Sequence, residues 1–280
     1  MTQWRPLRVL IMGQQNAFSR VLAKNVQCWG HEATFLSPEL EGEYAGELAG
    51  DVLLYDLDIL SPVHKDTISV SPKTLALDHV NEYNRLRSLS RLIIVLSSHS
   101  VSRTMLEQIG AIAHLSKPFA MERLQRYLNV LHRLILAGTQ GEVSPRTYSG
   151  NIRVLVVDDD HIVTRVIQQH LTYEPGYAVA VAHDGLTALE QCLDWQPDCV
   201  VTDLIMPWMN GYQVMRCLSD ISLHAMPAFV VMSALTHLEG PGNQAYLQGK
   251  IVKYVDKPFR FDHLLTTIKQ VCTDNQCQTA

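Results

Sequence analysis

The sequence lacks the cysteine pattern of a disulfide-stapled or zinc-binding domain. Its six cysteines are spread thinly over 280 residues, and no two of them form a Cys-x-x-Cys pair. The closest pair, Cys272 and Cys277, lies near the C-terminal end. The cysteine usage therefore predicts reduced thiols in a reducing compartment, without structural disulfides.

Long apolar runs and an excess of basic residues are also missing. The longest stretch without Asp, Glu, Lys or Arg runs from Ile221 to Leu238, and polar residues and a proline interrupt it. The N-terminal segment contains only a short apolar run, too short for the core of a signal peptide. The net charge of −5 argues against a broad nucleic-acid-binding surface. We therefore expect a cytoplasmic protein that neither inserts into a membrane nor binds nucleic acid.

The two halves of the chain repeat one another at a spacing typical of a domain. Four segments recur in the same order, namely RVLIMG as RVLVVD, DVLLYDL as DCVVTDL, IIVLSS as FVVMSA, and LSKPF as VDKPF. This order indicates a tandem duplication. Residues 138–150, GTQGEVSPRTYSG, are rich in glycine and small polar residues and predict a linker. The predicted domains are residues 1–137 and 151–275, followed by a tail at 276–280.

Each copy alternates short apolar runs with longer amphipathic stretches. In the second copy the predicted strands are 154–157, 178–182, 199–202, 229–232 and 251–255, and the predicted helices are 160–174, 184–195, 210–219, 237–248 and 260–273. This alternation predicts an α/β domain with a parallel sheet covered on both faces. Ligand sites of such sheets lie at the carboxyl ends of the strands, so the residues that follow each strand are the candidates.

Charged and hydroxyl side chains follow four of these strands. Aspartates 158–160 come after the first strand, Asp203 ends the third, Ser233 ends the fourth, and Lys257 follows the fifth. Carboxylates at one sheet edge repel each other, which raises the pKa of at least one of them unless a cation is near. A lysine and Mg²⁺, which prefers oxygen ligands, are the natural compensation.

The motifs VLVVDDD, VVTDLIMPWMNG, VVMSA and YVDKPF resemble those of the receiver domains of bacterial two-component response regulators, of which CheY is the single-domain type. The resemblance covers residues 152–273. It implies two flavodoxin-like (βα)5 doubly wound domains, each with a five-stranded parallel sheet.

The resemblance also implies a role for each acidic residue. Asp203 would be the phosphoacceptor. Asp159, Asp203 and the backbone carbonyl of Ile205 would bind Mg²⁺ directly, with Asp158 acting through a water. Asp160 is expected to cap a helix and take no part in the site.

The same resemblance implies how the phosphoryl group would be recognised. Lys257 would pair with the phosphoryl oxygens, and its peptide bond to Pro258 would be cis. Ser233 would hydrogen-bond the phosphoryl group, and Tyr254 would turn inward as Ser233 moves.

The first copy keeps only part of this pattern. Asp56 matches the phosphoacceptor, Ser97 the hydroxyl, and Lys117 the lysine before a proline. Gly13 and Gln14 stand in place of the acidic pair, and neither replaces an ionised carboxylate around Mg²⁺. We therefore expect a degenerate, or pseudo-, receiver with the same fold and no productive phosphorylation.

Further differences separate the two copies. Extra residues around 60–80 predict an extended loop, and His114 stands where Tyr254 stands in the second copy. Asp58 offers one possible metal ligand, which leaves a slow modification of Asp56 open. We expect the first half to be a docking or dimerisation module, and support of the second half's fold is the alternative.

The resemblance implies a stand-alone response regulator of a two-component phosphorelay. A histidine kinase or histidine phosphotransfer protein would supply the phosphoryl group, and a protein effector would receive the signal. Only TDNQCQTA follows the last predicted helix, so we expect no DNA-binding or enzymatic output domain. Catalysis would be limited to self-catalysed phosphorylation and dephosphorylation, and a homodimer through a receiver surface is possible.

Two alternatives remain open, and the sequence argues against a third. In the first, the protein is a phosphate sink or inhibitor of a histidine kinase. In the second, it is the receiver portion of a longer receiver–receiver–effector protein. A metal-dependent phosphatase would need a second acidic group in a DxD arrangement, which Asp203-Leu204-Ile205 lacks.

Overall fold

The computed structural model describes residues 5–36, 49–59, 84–139, 150–221, 226–233 and 252–279. The predicted extended loop around 60–80, most of the predicted linker and the predicted helix at 237–248 lie outside the described residues. The chain divides into two compact units, residues 1–128 and 129–280. The domain limits read from the sequence remain predictions.

The first unit alternates strands and helices. Its strands are β1 Arg8–Met12, β2 Glu32–Leu36, β3 Val52–Asp56, β4 Leu92–Ser97 and β5 Ala111–Ser116. Its helices are α1 Ala17–Cys28, α2 Arg103–Ile109 and α3 Met121–Thr139, the last of which continues into the second unit. A 3-10 turn at Leu57–Ile59 follows β3, and residues 84–89 are also helical.

The second unit has the same alternation. Its strands are β6 Ile152–Val157, β7 Tyr177–Ala182, β8 Cys199–Asp203, β9 Ala228–Ser233 and β10 Val252–Asp256. Its described helices are α4 His161–Tyr173, α5 Gly185–Asp194, α6 Gly211–Asp220 and α7 Phe261–Thr279. Helix α7 ends later than predicted because no Gly or Pro follows residue 273 to stop it.

The two sheets share one topology. Each is five-stranded, with the orders β2-β1-β3-β4-β5 and β7-β6-β8-β9-β10, and the paired strands run parallel. These are the doubly wound, flavodoxin-like (βα)5 domains that the sequence predicts. In the second sheet the chain turns in opposite directions after β6 and β8, so a crevice opens beside the carboxyl ends of these two strands.

Apolar strands and polar caps explain why these elements form. Strand β9 is buried along its whole length, as expected for a central strand covered on both faces. Polar side chains cap the helices: Asp160, Asp184 and Asn210 each accept a hydrogen bond from a backbone N–H in the first turn of α4, α5 and α6. Because the caps follow strand ends, they also fix the loops around the crevice.

The described cysteines are free thiols. Cys192, Cys199, Cys217 and Cys272 are buried, and Cys28 is exposed. Burial raises the pKa of Cys192 to about 12 and also raises that of Cys217. None of the described helices is both long and apolar enough to cross a bilayer.

Gly211 allows the start of α6 to approach β8 closely. A Cβ atom at this position would lie 2.5 Å from the backbone oxygen of Asp203 and 2.9 Å from Oγ1 of Thr202. We therefore expect Gly211→Ala to reduce the free energy of unfolding by about 1–3 kcal/mol, the usual cost of overpacking. Thermal unfolding checks this. Gly150→Ala is the matched control because a Cβ there meets nothing within 4 Å, and equal shifts in the two variants would contradict the prediction.

Candidate functional site

Three carboxylates meet at the carboxyl end of the second sheet. Asp158 and Asp159 follow β6, and Asp203 ends β8. One carboxylate oxygen from each residue lies within 4.8 Å of the other two. Asp158 is buried, Asp203 is half-buried and Asp159 is exposed, so the cluster opens to solvent on one side.

The ammonium group of Lys257 lies between two of these carboxylates. Its Nζ is 2.8 Å from Oδ2 of Asp158 and 3.0 Å from Oδ1 of Asp203. Lys257 follows β10, its backbone N–H donates to the carbonyl oxygen of Ser233 at 2.7 Å, and its bond to Pro258 is cis. Within the described residues, the ammonium group of Lys257 is set against three carboxylates, so this part of the site carries excess negative charge.

Partial burial dominates the pKa of Asp203. Burial raises the pKa above its ordinary value and the charge of Asp158 adds to the rise, which outweighs the opposing hydrogen bonds from Lys257 and the Leu204 backbone. The pKa of Lys257 is also raised: burial opposes the rise, but the bonds to Asp158 and Asp203 prevail. The site thus favours binding of an additional cation.

The donor set fits a hard divalent cation such as Mg²⁺. Carboxylate oxygens are the ligands such ions take, and the open side leaves room for the waters that Mg²⁺ retains. Ile205 lies two residues after Asp203, and this residue is 55% exposed. The roles predicted for Asp158, Asp159, Asp203 and the Ile205 carbonyl stay predictions.

The other predicted residues of the second unit lie nearby. Ser233 is buried at the end of β9, next to Asp256 of β10 in the sheet register. Tyr254 on β10 is 37% exposed, and its hydroxyl lies 3.4 Å from that of Tyr212. The Asp160 side chain accepts from the Ile162 N–H, as a helix cap does.

Two histidines at the edge of the cluster gave no signal in the sequence. Nδ1 of His161 lies 3.1 Å from Nε2 of His183, and Nδ1 of His183 lies 3.4 Å from the carbonyl oxygen of Asp158. Because His161 begins α4 and His183 follows β7, only the fold brings them together.

The corresponding edge of the first sheet keeps the lysine and loses the acidic pair. Asp56 is buried at the end of β3, and Nζ of Lys117 lies 2.6 Å from its Oδ1. Gly13 follows β1, and a Cβ atom there would lie 3.0 Å from Cβ of Asp56. Gln14 is exposed beside it. Within the described residues, a group of three possible metal ligands occurs only in the second unit.

Sequence reasoning missed a second contact of Lys117. Its Nζ also lies 3.0 Å from Oδ2 of Asp58, and the Asp58 carboxylate accepts hydrogen bonds from Ser98. Ser97, the predicted hydroxyl, instead lies with its Oγ 2.8 Å from Nε2 of His114. No sequence signal identified Ser98.

Comparison with known proteins connects this geometry with a family. Residues 154–269 match the family model described as the response regulator receiver domain. A stretch of 119 residues is 34% identical to response regulator MprA of Mycobacterium ulcerans, covering 42% of this chain and 49% of that protein. A stretch of 108 residues is 42% identical to protein-glutamate methylesterase/protein-glutamine glutaminase 5 of Myxococcus xanthus. It covers 38% of this chain and 30% of that protein. The chain spans half or less of these relatives' length.

Solved structures give similar matches. The response regulator domain of Thermotoga maritima CheB aligns with 28% identity and a TM-score of 0.38, covering 44% of this chain and 97% of that one. The receiver domain of the Francisella response regulator 1452 aligns with 27% identity and a TM-score of 0.38, covering 44% of this chain and 98% of that one.

The raised pKa of Asp203 predicts how the site responds to Mg²⁺. A carboxyl whose pKa is higher in the folded than in the unfolded protein destabilises the fold once the pH rises above its unfolded value. We therefore expect Asp203→Asn to raise the thermal midpoint at neutral pH without divalent cations. Mg²⁺ at about a hundredfold excess over its Kd should stabilise the wild type by about 2–3 kcal/mol and the variant far less.

Asp184→Asn is the matched control for this experiment. Asparagine also caps helices, and Asp184 lies outside the carboxylate cluster, so its Mg²⁺ response should equal that of the wild type. Equal Mg²⁺ stabilisation of Asp203→Asn and wild type would contradict the assignment of the metal site.

Proposed function

Residues 154–269 form a response regulator receiver domain, and we propose that Asp203 of this domain accepts a phosphoryl group from a phosphohistidine. One observation carries the proposal. The half-buried carboxylate of Asp203 shares an open cluster with Asp158 and Asp159 and lies 3.0 Å from the ammonium of Lys257. Phosphoryl transfer requires little more than an in-line nucleophile and surrounding cations.

The chemistry follows from the residues around Asp203. When bound, Mg²⁺ neutralises charge on the phosphoryl oxygens, and Asp158, Asp159, Asp203 and the Ile205 carbonyl would hold it. A carboxylate oxygen of Asp203 attacks phosphorus, the P–N bond of the donor breaks, and the imidazole keeps the electron pair. The Lys257 ammonium, already beside Asp203, pairs with a phosphoryl oxygen.

The added charge would change the neighbouring strands. Ser233 is buried at the end of β9, and its hydroxyl would hydrogen-bond the phosphoryl group after a small movement. Tyr254 on the adjacent edge strand is partly exposed, so its ring would turn inward as Ser233 moves. The result is a local charge change that shifts a surface between two states.

We further propose that the protein acts as a stand-alone response regulator through contacts with other proteins. A histidine kinase or histidine phosphotransfer protein would be the donor, and the degenerate first unit would serve docking or dimerisation. Two alternatives stand: a phosphate sink that inhibits a kinase, and the receiver portion of a longer protein. The second is supported by the fact that the matched region makes up only 49% and 30% of two relatives' own length, so those proteins have further segments outside it.

Intact mass spectrometry tests the phosphoacceptor. We expect incubation with Mg²⁺ and acetyl phosphate to add one phosphoryl group to the wild type and to Asp56→Asn, and none to Asp203→Asn. Asp56→Asn is the matched control because Asp56 also ends a central strand beside a lysine. A phosphorylated histidine phosphotransfer protein serves as a second donor, and an adduct that survives in Asp203→Asn would overturn the proposal.

Light scattering during size-exclusion chromatography tests homodimer formation. The chain has a mass of 31.5 kDa, and phosphorylation should move the observed mass toward twice this value. Ser233→Ala keeps Asp203 and Lys257, so we expect it to be phosphorylated yet to stay at the monomer mass. An unchanged mass of the phosphorylated wild type would favour the phosphate-sink alternative over a dimerising regulator.

A further inference from the structure

The Asp58 carboxylate of the first unit sits among donors that suit an oxyanion. The backbone N–H of Ser98 donates to Oδ1 at 2.9 Å, and the Ser98 hydroxyl donates to Oδ2 at 2.6 Å. Nζ of Lys117 lies 3.0 Å from the same Oδ2. Nδ1 of His99 is more distant, 3.7 Å from Oδ1. A backbone N–H, a hydroxyl and an ammonium together are the donors that bind phosphate oxygens in proteins.

The charge of Asp58 is well stabilised at this position. Although burial raises its pKa, the hydrogen bonds from Ser98 and the contact with Lys117 hold it well below the ordinary range. Asp58 therefore remains a carboxylate throughout the neutral range and permanently occupies these donors.

Comparison of the two units shows what Asp58 replaces. Lys257 of the second unit contacts Asp203 and Asp158, whereas Lys117 of the first contacts Asp56 and Asp58. Asp58 lies two residues after Asp56, the position that Ile205 holds after Asp203. The first unit thus supplies its lysine's second carboxylate from the turn after β3, whereas the second unit supplies it from the residue that follows β6.

We infer that the first unit contains an oxyanion-binding site, formed by Lys117 and the N–H and hydroxyl of Ser98, and that Asp58 is its permanent internal ligand. The Lys117 ammonium and the Ser98 donors are therefore already engaged without Mg²⁺ or a phosphoryl donor. This goes beyond the function proposed above and is independent of the phosphorylation of Asp203.

The neighbouring pair Ser97 and His114 is also held in one hydrogen-bonding arrangement. The Ser97 hydroxyl donates its one proton to the carbonyl oxygen of His99 at 2.7 Å. Nε2 of His114 lies 2.8 Å from Oγ of Ser97 and must then be the donor to it, which is the role of a neutral ring protonated on Nε2. Burial lowers the pKa of His114, which favours this neutral form.

There is space for an external anion once the carboxylate is removed. A cavity of about 290 Å³ adjoins the site, and Gln14, Phe18 and Ile59 line it together with Asp56, Asp58, Ser98 and Lys117. The Lys117 ammonium lies 4.7 Å from the centre of the Phe18 ring, which helps to keep it in place.

The backbone N–H of Ser98 reports the occupant of this site. In full-length protein labelled with ¹⁵N-serine, we expect the Ser98 amide resonance of the wild type to stay constant as inorganic phosphate is added. In Asp58→Ala it should shift saturably, with an affinity at least about tenfold higher than any wild-type response. Asp58→Asn keeps the shape of the side chain but loses its charge, so its affinity should lie between the two.

Glu107→Ala is the matched control. It removes a carboxylate 2.7 Å from Nε of Arg103, a cation elsewhere in the same unit, and should leave the phosphate response of Ser98 at the wild-type level. If Asp58 only stabilises the loop after β4, phosphate will not bind specifically in either Asp58 variant. That result, or equal phosphate binding by wild type and Asp58→Asn, would overturn the inference even if Asp58→Ala fails to fold.

Discussion

Carboxylates that share one edge of a sheet need a cation between them, and in both units the lysine after the last strand provides it. Lys257 contacts Asp158 and Asp203, and Lys117 contacts Asp56 and Asp58. Without the ammonium group, burial and mutual repulsion would drive at least one carboxyl toward its neutral form. The remaining features of each site depend on which carboxylates surround this lysine.

The fold determines the position of the lysine. Each lysine follows an edge strand, and its backbone N–H donates to the serine carbonyl at the end of the neighbouring strand, from Lys257 to Ser233 and from Lys117 to Ser97. The strands inside are buried and closely packed, so the acceptor carboxylate has little freedom to move away. When the charge at the sheet edge changes slightly, the loops must therefore move, because the strands cannot.

The sequence alone could predict most of the second unit, because the relevant residues all follow strands whose apolar pattern is clear. The convergence of Asp158, Asp203 and Lys257 follows from the parallel topology alone. The first unit was less predictable: the position of Asp58 depends on a 3-10 turn after β3, and no periodic pattern reveals such a turn. The His161–His183 pair was equally unpredictable, because it depends on how the start of α4 meets the residue after β7.

The internal position of Asp58 has a thermodynamic consequence. The folded chain holds Asp58 beside Lys117 and Ser98, so this ligand loses little translational and rotational entropy on binding, and its effective concentration greatly exceeds that of a free anion in solution. A diffusible anion must displace this carboxylate as well as bind. On the function proposed above, the occupancy of the second unit's site would follow the surrounding concentration of phosphodonor, whereas that of the first unit's site is set by covalent structure.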